Sequence, residues 1–90
     1  MSENLSEERE ELFKLITSLD DAETTKALFF DLCTYKEIDS MAQRLKAAKL
    51  LIEGATYEKI IKETEISSAT LSRVSKCVRY SDGYKKVLKK

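Results

Sequence analysis

The chain of 90 residues contains no histidine and no proline, and it has only two glycines and two cysteines. Histidine is the commonest general base and metal ligand in proteins, and neither cysteine has a candidate base near it in the sequence. The sequence also has no glycine-rich phosphate loop and no carboxylate cluster with metal-ligand spacing. We therefore expect a protein that is not an enzyme and that uses no metal ion or cofactor.

The few cysteines also indicate a compartment. Cys33 and Cys77 are far apart and form no CxxC pattern, so they are predicted to be reduced thiols. The chain shows no secretory signal and no apolar run near the roughly 18 residues that a membrane span requires. These absences predict a cytoplasmic protein without a membrane partner.

Helix-breaking residues are almost missing, and hydrophobic residues recur at helical spacing along the chain. This pattern predicts a single all-α domain of about six helices. We divide it into N-terminal dimerisation helices, a central helix, a helix-turn-helix, and a C-terminal helix or tail, at residues 1–33, 34–55, 56–78 and 79–90.

Two helices are predicted in the N-terminal segment, at residues 4–19 and 22–33. Asp20 with Glu23 resembles a capping box, which would begin the second helix. The end of this second helix is almost continuously apolar, with Leu28, Phe29, Phe30, Leu32 and Cys33. We therefore expect it to be buried on nearly all sides.

A longer central helix is predicted from Tyr35 to about Glu53. Thr34 and Glu37 form a capping box at its start, and Gly54 suits a left-handed cap at its end. Its apolar residues recur at alternating spacings of three and four residues. This spacing predicts a narrow buried seam of Ile38, Met41, Leu45, Ala48 and Ile52.

The next stretch, TYEKIIKETEISSATLSRV at residues 56–74, predicts a helix-turn-helix. Thr56 is a good N-cap for a short scaffold helix, because its hydroxyl can accept a hydrogen bond from an amide of the first turn. Ile60 and Ile61 are expected to face the interior.

The turn and the second helix follow directly. Ile66 is expected to fill the space between the two helices, and Ser67 or Ser68 to cap a second helix that runs to about Val78. Glu65 stands in the turn where glycine is common, because that position favours a left-handed conformation. The sequence therefore predicts an altered turn.

The second helix has two distinct faces. One apolar stripe follows from the spacing i, i+3 and i+7 of Leu71, Val74 and Val78. At about 100° per residue, the opposite face presents Ala69, Ser72, Arg73 and Lys76. Small residues let a helix backbone approach DNA closely, and cations contact phosphates and base edges. We therefore interpret this helix as a recognition helix.

The predicted DNA contacts fall into two groups. Phosphate contacts are expected from Thr56, Tyr57, Lys59 and Lys76, and base-edge contacts from Ser68, Ala69, Thr70, Ser72 and Arg73. An ordinary helical hairpin with a solvated charged face would show the same apolar stripe. However, a purely solvent-exposed helix favours Glu, Lys and Ala over the hydroxyl groups that residues 67–73 contain.

Charge is balanced overall but not along the chain, which has 16 basic and 16 acidic residues. Residues 1–39 hold 4 basic and 11 acidic side chains, a net of −7, whereas residues 40–90 hold 12 and 5, a net of +7. A polyanion would be attracted to one pole and repelled by the other. Short helices with broad apolar faces cannot all be covered within one small chain, so we expect a homodimer with the N-terminal helices in its interface.

Over roughly residues 29–80 the sequence resembles the Trp repressor superfamily, and it looks most like the YerC/YecD branch of bacterial proteins. Four segments within residues 29–80 carry the resemblance, namely FFDLCT (29–34), EIDSMAQRL (37–45), LIEGATYEKI (51–60) and SSATLSRV (67–74). The resemblance implies an intertwined all-helical dimer, operator binding and transcriptional regulation, usually repression.

The resemblance also implies an effector site. In the Trp repressor, tryptophan lies between the central helix and the recognition helix, and the matching positions here are Thr34, Arg44 and Arg73. Val74 stands where the repressor has a glycine that leaves room for the indole, and the turn is one residue shorter. We therefore expect no tryptophan co-repressor, and whether another small molecule binds stays open.

Together these features predict a sequence-specific transcriptional regulator, a repressor that binds a pseudo-palindromic operator in double-stranded DNA as a dimer. The alternative is a dimeric protein-interaction adaptor that uses its acidic N-terminal pole and does not read DNA sequence. RNA is a poorer fit, because the recognition helix lacks the aromatic residues that stack on unpaired bases.

Overall fold

The computed structural model describes residues 5–88, which form six α-helices and no strand. The all-α prediction with about six helices is therefore confirmed. None of the helices within this range combines the length and the hydrophobicity that a membrane span requires. The chain divides between Tyr35 and Lys36 into two compact units, which we call the N-terminal and the C-terminal unit. The helices are α1 (Ser6–Ser18), α2 (Ala22–Leu32), α3 (Tyr35–Ile52), α4 (Tyr57–Thr64), α5 (Ser68–Tyr80) and α6 (Gly83–Leu88).

The N-terminal unit holds α1 and α2. The predicted start of the first helix at residue 4 lies outside the described residues, and α2 begins at Ala22 as predicted. The prediction of Asp20 as the cap of α2 was wrong by one residue. The carboxylate of Asp21 accepts the hydrogen bond from the amide of Thr24, at 2.7 Å. Hydrogen bonds from the Thr24 amide and hydroxyl stabilise the ionised form and lower the pKa of Asp21 from its ordinary 3.8.

The predicted burial of the second helix on nearly all sides was wrong for the single chain. Neither α1 nor α2 has a buried residue, and Phe13, Phe30 and Leu32 are each about half exposed. The ring of Phe30 meets that of Tyr35 edge to face, with centroids 5.1 Å apart. A helix is enclosed only when several elements surround it, and this unit offers α2 a single helical neighbour.

The C-terminal unit contains the hydrophobic core. Its buried members come from the second half of α3, from α4, from the turn and from α5, namely Ala47, Ala48, Leu50, Ile60, Ile66, Leu71 and Val74. The predicted seam of α3 was therefore wrong in its first half, since Met41 and Leu45 are 37% and 47% exposed. The core includes only residues near the C-terminal end of α3, so earlier seam positions gain no cover from it.

The end of α3 follows the prediction closely. Gly54 has φ +93°, in the left-handed region that glycine adopts without strain. The Gly54 amide donates to the carbonyl of Leu51 and the Ala55 amide to that of Leu50, both at 3.0 Å. This pair of bonds is the Schellman arrangement, in which the reversed chain satisfies carbonyls that the helix end leaves open.

The C-terminal segment, left open as a helix or a tail, is a helix. After a turn at Ser81 and Asp82, α6 runs from Gly83, and its Tyr84 and Leu88 pack against the core. The preceding helix α5 extends to Tyr80, two residues beyond the predicted end. Because α6 is anchored by two apolar contacts, it belongs to the same folded unit as α4 and α5.

Candidate nucleic-acid interface

Helices α4 and α5 form the predicted helix-turn-helix, and both predicted caps are present. The Thr56 hydroxyl accepts from the Lys59 amide at 3.2 Å, and the Ser67 hydroxyl accepts from the Thr70 amide at 3.1 Å. Each cap satisfies one of the amides that the first helical turn leaves without a partner. Of the two serines considered, Ser67 is therefore the cap and Ser68 the first helical residue.

The turn between the helices comprises residues 65–67. Glu65 has φ 61° and ψ 20°, so this non-glycine residue adopts the left-handed conformation itself. Ile66 is only 1% exposed and fills the space between α4 and α5 as predicted. Ile60 is fully buried, but the prediction for Ile61 was wrong, since that side chain is 37% exposed. Neighbouring residues point about 100° apart around a helix, and on α4 it is Ile60 and not Ile61 that points into the core.

Helix α5 presents the two predicted faces. Its inner face buries Leu71, Val74 and Ser75, and Val78 packs against the same core. Most of the predicted contact residues of α5 are exposed, namely Ser68, Ala69, Ser72, Arg73 and Lys76. Thr70 differs from them because it is half-buried, and its hydroxyl oxygen accepts a hydrogen bond from the Ser67 hydroxyl at 2.9 Å. An exposed row of small and cationic side chains thus lies on a helix that the core holds in place.

The predicted contact residues of the scaffold helix are also on the surface. Thr56, Tyr57 and Lys59 are exposed at the start of α4. The Lys59 ammonium lies 3.9 Å from the Glu63 carboxylate one turn later. An exposed ion pair of this kind is worth less than about 1 kcal/mol, so it leaves Lys59 free to exchange its partner.

A cleft of about 460 Å³ lies within the C-terminal unit, between the side of α5 and its neighbours. Its lining includes two of the predicted effector residues, with the full set being Arg44, Thr70, Arg73, Val74, Cys77 and Tyr84. The Arg44 guanidinium donates to the Ser40 hydroxyl at 3.1 Å, one turn earlier in α3. Thr34, the third predicted effector residue, belongs to the N-terminal unit. The cleft thus brings two cations together beside Val74.

Several side chains around this site carried no signal in the sequence. Tyr84 lines the cleft from α6, and Cys77 lines it from α5. Gln43 of α3 donates from its amide nitrogen to the main-chain carbonyl of Thr64, at 2.9 Å. Across residues 5–88, no group of three or more acidic or cysteine side chains is arranged to hold a metal ion.

The fold and the site define an all-α protein of the helix-turn-helix class. Comparison with known proteins then identifies the family: the family model described as Trp repressor protein matches residues 7–90, so the chain belongs to the Trp repressor family. This match begins well before residue 29, where the recognisable sequence motifs begin. The family match therefore includes all of α1 except its first residue.

The chain is also similar to individual members. It is 50% identical over 82 residues to the uncharacterized Bacillus subtilis protein YerC, covering 90% of this chain and 79% of YerC. A crystal structure of a candidate Trp repressor from Staphylococcus aureus superimposes with a TM-score of 0.88 at 39% identity, over 92% of this chain and 84% of that one. A TrpR-like protein from Eubacterium eligens gives the same TM-score at 41% identity, over 94% and 90%. The resemblance to the Trp repressor superfamily is confirmed.

Proposed function

We propose that the protein is a cytoplasmic transcriptional regulator, a repressor that binds a pseudo-palindromic operator in double-stranded DNA as a homodimer. The observation that carries the proposal is the arrangement of α5. Its inner face is held by buried Leu71 and Val74, while its outer face presents Ser72, Arg73 and Lys76 to solvent. A helix fixed in this way can enter a major groove without losing its packing. Membership of a family of regulators supports the same role.

The exposed residues divide into two kinds of contact. In the proposed complex the start of α4 and one residue of α5 contact the phosphate backbone of the DNA, through Thr56, Tyr57, Lys59 and Lys76. The first turns of α5 read base edges, through Ser68, Ala69, Thr70, Ser72 and Arg73. Phosphate contacts set affinity and register, whereas base contacts set sequence preference. Arg73 is the residue in the second group that can form a bidentate pair with guanine.

The dimer is supported by the unburied apolar side chains of the N-terminal unit. Within one chain α1 and α2 expose Phe13, Leu15, Phe30 and Leu32 by 45% to 55% each. Several large exposed apolar side chains on one short segment are typical of an interface. Two recognition helices related by a twofold axis would then meet half-sites about one duplex turn apart.

We further propose that DNA binding needs no tryptophan. Val74 is 2% exposed and belongs to the core, and Val74 and Tyr84 both contribute to the wall of the cleft between Arg44 and Arg73. Val74 thus places a buried side chain at the position where the Trp repressor has the glycine that leaves room for the indole. A different small molecule could pair with the two guanidinium groups of Arg44 and Arg73. A ligand screen would distinguish regulation by such a molecule from DNA binding without an effector.

The test is a selection of bound duplexes from a random pool at about 150 mM salt, with and without tryptophan, since weak non-specific binding is lost at such salt. Enrichment of a palindrome with half-sites about 10 bp apart, equal in both conditions, is the expected result. A requirement for tryptophan would contradict the effector proposal. A promoter carrying the selected palindrome should be transcribed less when the protein is present.

Two arginine variants separate base reading from general charge. Arg73→Ala should weaken binding to the selected site by about 1–3 kcal/mol and relax the preference at one base pair. Arg79→Ala removes the same charge from the exposed last turn of α5, outside the proposed contacts and the proposed dimer interface, and should leave both properties unchanged. An equal loss for all sequences would instead assign Arg73 to a phosphate or to a ligand.

The adaptor hypothesis makes the opposite prediction. If the chain binds a protein partner through its acidic N-terminal segment, the random pool should yield no enriched sequence at about 150 mM salt. Removing the charges of Arg73 and Lys76 should then leave partner binding intact. That combination would replace the regulator proposal with the adaptor.

A further inference from the structure

A hydrogen bond connects α3 to the last residue of α4. The side-chain amide of Gln43 donates to the main-chain carbonyl of Thr64 at 2.9 Å, in a half-buried position and between residues 21 apart in sequence. The carbonyl of Thr64 belongs to the helix end, where no later amide of the same helix can reach it. Gln43 therefore supplies the partner that the end of α4 lacks.

The side chain of Thr64 continues this connection into the turn. Its hydroxyl donates to the carbonyl of Ile60 at 2.7 Å and accepts from the amide of Ile66 at 3.2 Å. Ile66 is the residue whose side chain fills the core between the two helices. We call the set of Gln43, Thr64 and the Ile66 amide the turn clamp. It joins α3, the end of α4 and the buried residue of the turn.

The turn clamp acts on the short turn between α4 and α5, where the backbone conformation of each residue affects the direction of the following helix. Only residues 65–67 separate α4 from α5, and Glu65 holds a left-handed conformation that a residue with a side chain rarely adopts. A strained conformation persists only when the surrounding structure determines it. The polar bonds of the clamp restrict this turn in direction, whereas apolar packing of Ile66 alone is less directional.

We propose that Gln43 is a positioning residue for DNA recognition, which acts through the turn clamp to set the direction of α5 relative to α3 and α4. The proposal rests on the function proposed above. It states that the hydrogen bond from Gln43 to Thr64 helps to orient the recognition helix. Since base contacts require groups placed within a few tenths of an ångström, a small rotation of α5 should lower sequence preference more than general affinity.

The primary test replaces Gln43 by Glu, which keeps the shape but places an acceptor opposite the Thr64 carbonyl. Ala42→Glu is the matched control, because it adds the same charge at the neighbouring exposed position of α3. Each variant is titrated with the selected palindrome and with a scrambled duplex of equal length. We expect Gln43→Glu to lower the ratio of palindrome to scrambled binding about tenfold, whereas Ala42→Glu should keep the wild-type ratio.

A second pair of variants tests the other half of the clamp. Thr64→Val removes the hydroxyl at nearly constant shape, and Thr64→Ser restores it. Serine should recover the wild-type ratio of palindrome to scrambled binding, and valine should not. Hydrogen exchange of the Ile66 amide provides a measurement without DNA, and it should become faster in both Gln43→Glu and Thr64→Val than in the wild type.

The outcomes separate this inference from the proposed function. If the wild-type protein enriches no duplex, the proposal that it is a sequence-specific regulator is refuted. Hydrogen exchange of the Ile66 amide would still decide whether the turn clamp holds the turn. If the wild type prefers the palindrome and the Gln43→Glu variant prefers it equally, the positioning role of Gln43 is overturned. If Gln43→Glu does not fold, Gln43→Met, which removes the donor without adding charge, decides in its place, and wild-type selectivity there overturns the proposal.

Discussion

Replacement of Glu65 by glycine should stabilise the protein, although most substitutions to glycine in helical proteins do the reverse. Glu65 occupies the left-handed region with φ 61° and ψ 20°, directly after the last residue of α4. A residue with a Cβ atom meets steric repulsion in this region, and glycine does not. Since the Glu65 side chain is exposed, the substitution removes no buried contact.

The size of the effect follows from two opposing terms. Relief of the left-handed conformation contributes roughly 1–2 kcal/mol. The greater freedom of glycine in the unfolded chain subtracts roughly 0.5–1 kcal/mol. Taking the middle of each range, we expect Glu65→Gly to raise the free energy of unfolding by roughly 0.75 kcal/mol, which corresponds to a rise of about 3 to 6 °C in Tm for a domain of this size.

The assay is urea and thermal unfolding of three variants at one protein concentration. Glu65→Ala keeps a Cβ atom in the left-handed region, so it should gain nothing. Lys46→Gly places glycine at an exposed position inside α3, where it should cost about 1 kcal/mol. If glycine at position 65 is no better than alanine, or destabilises as it does at position 46, the conformational argument is refuted.

Three further predictions concern other contacts of the described helices. Ile66→Ala should cost about 2–5 kcal/mol in urea unfolding because the side chain is buried, and the partly exposed Ile61→Ala clearly less; equal losses would contradict the assignment of the core. Thr56→Ala should cost about 1 kcal/mol through loss of the α4 cap, and Thr56→Ser should retain most of it. Because the pKa of Asp21 is lowered from 3.8, its contribution to stability should be present above pH 3.8 and should disappear as the pH falls through the lowered value. Carboxyl titration by NMR measures that pKa, and Asp21→Asn should abolish this part of the pH dependence; a carboxyl that titrates at or above 3.8 would contradict the cap.

The limits of the helices and their caps could be predicted from sequence with few errors. Thr56, Ser67 and Gly54 act on atoms within about one helical turn, so the residues that carry each signal are neighbours in the chain. The one misassigned cap, at Asp20, arose because Asp21 is an equally good acceptor one position later. Local hydrogen bonding cannot rank two adjacent aspartates without the backbone conformation.

The exposed face of α5 could be predicted for the same reason. Spacing along a helix determines which residues share a face, so Leu71 and Val74 turned inward as expected and Arg73 outward. Spacing does not tell how far a core extends along a helix. Met41 and Leu45 follow the same periodicity as Ala48, yet only Ala48 is covered within the chain.

The sequence by itself determined the class of the protein, six helices with a helix-turn-helix, because these features depend on periodicity and on interactions between near neighbours. The tertiary structure alone decided which polar groups meet across the fold. The bond from Gln43 to Thr64 joins residues 21 apart, and Tyr84 reaches a cleft that Arg44 also lines. Such contacts have no period and no local motif, since they depend on where separate helices are placed in space.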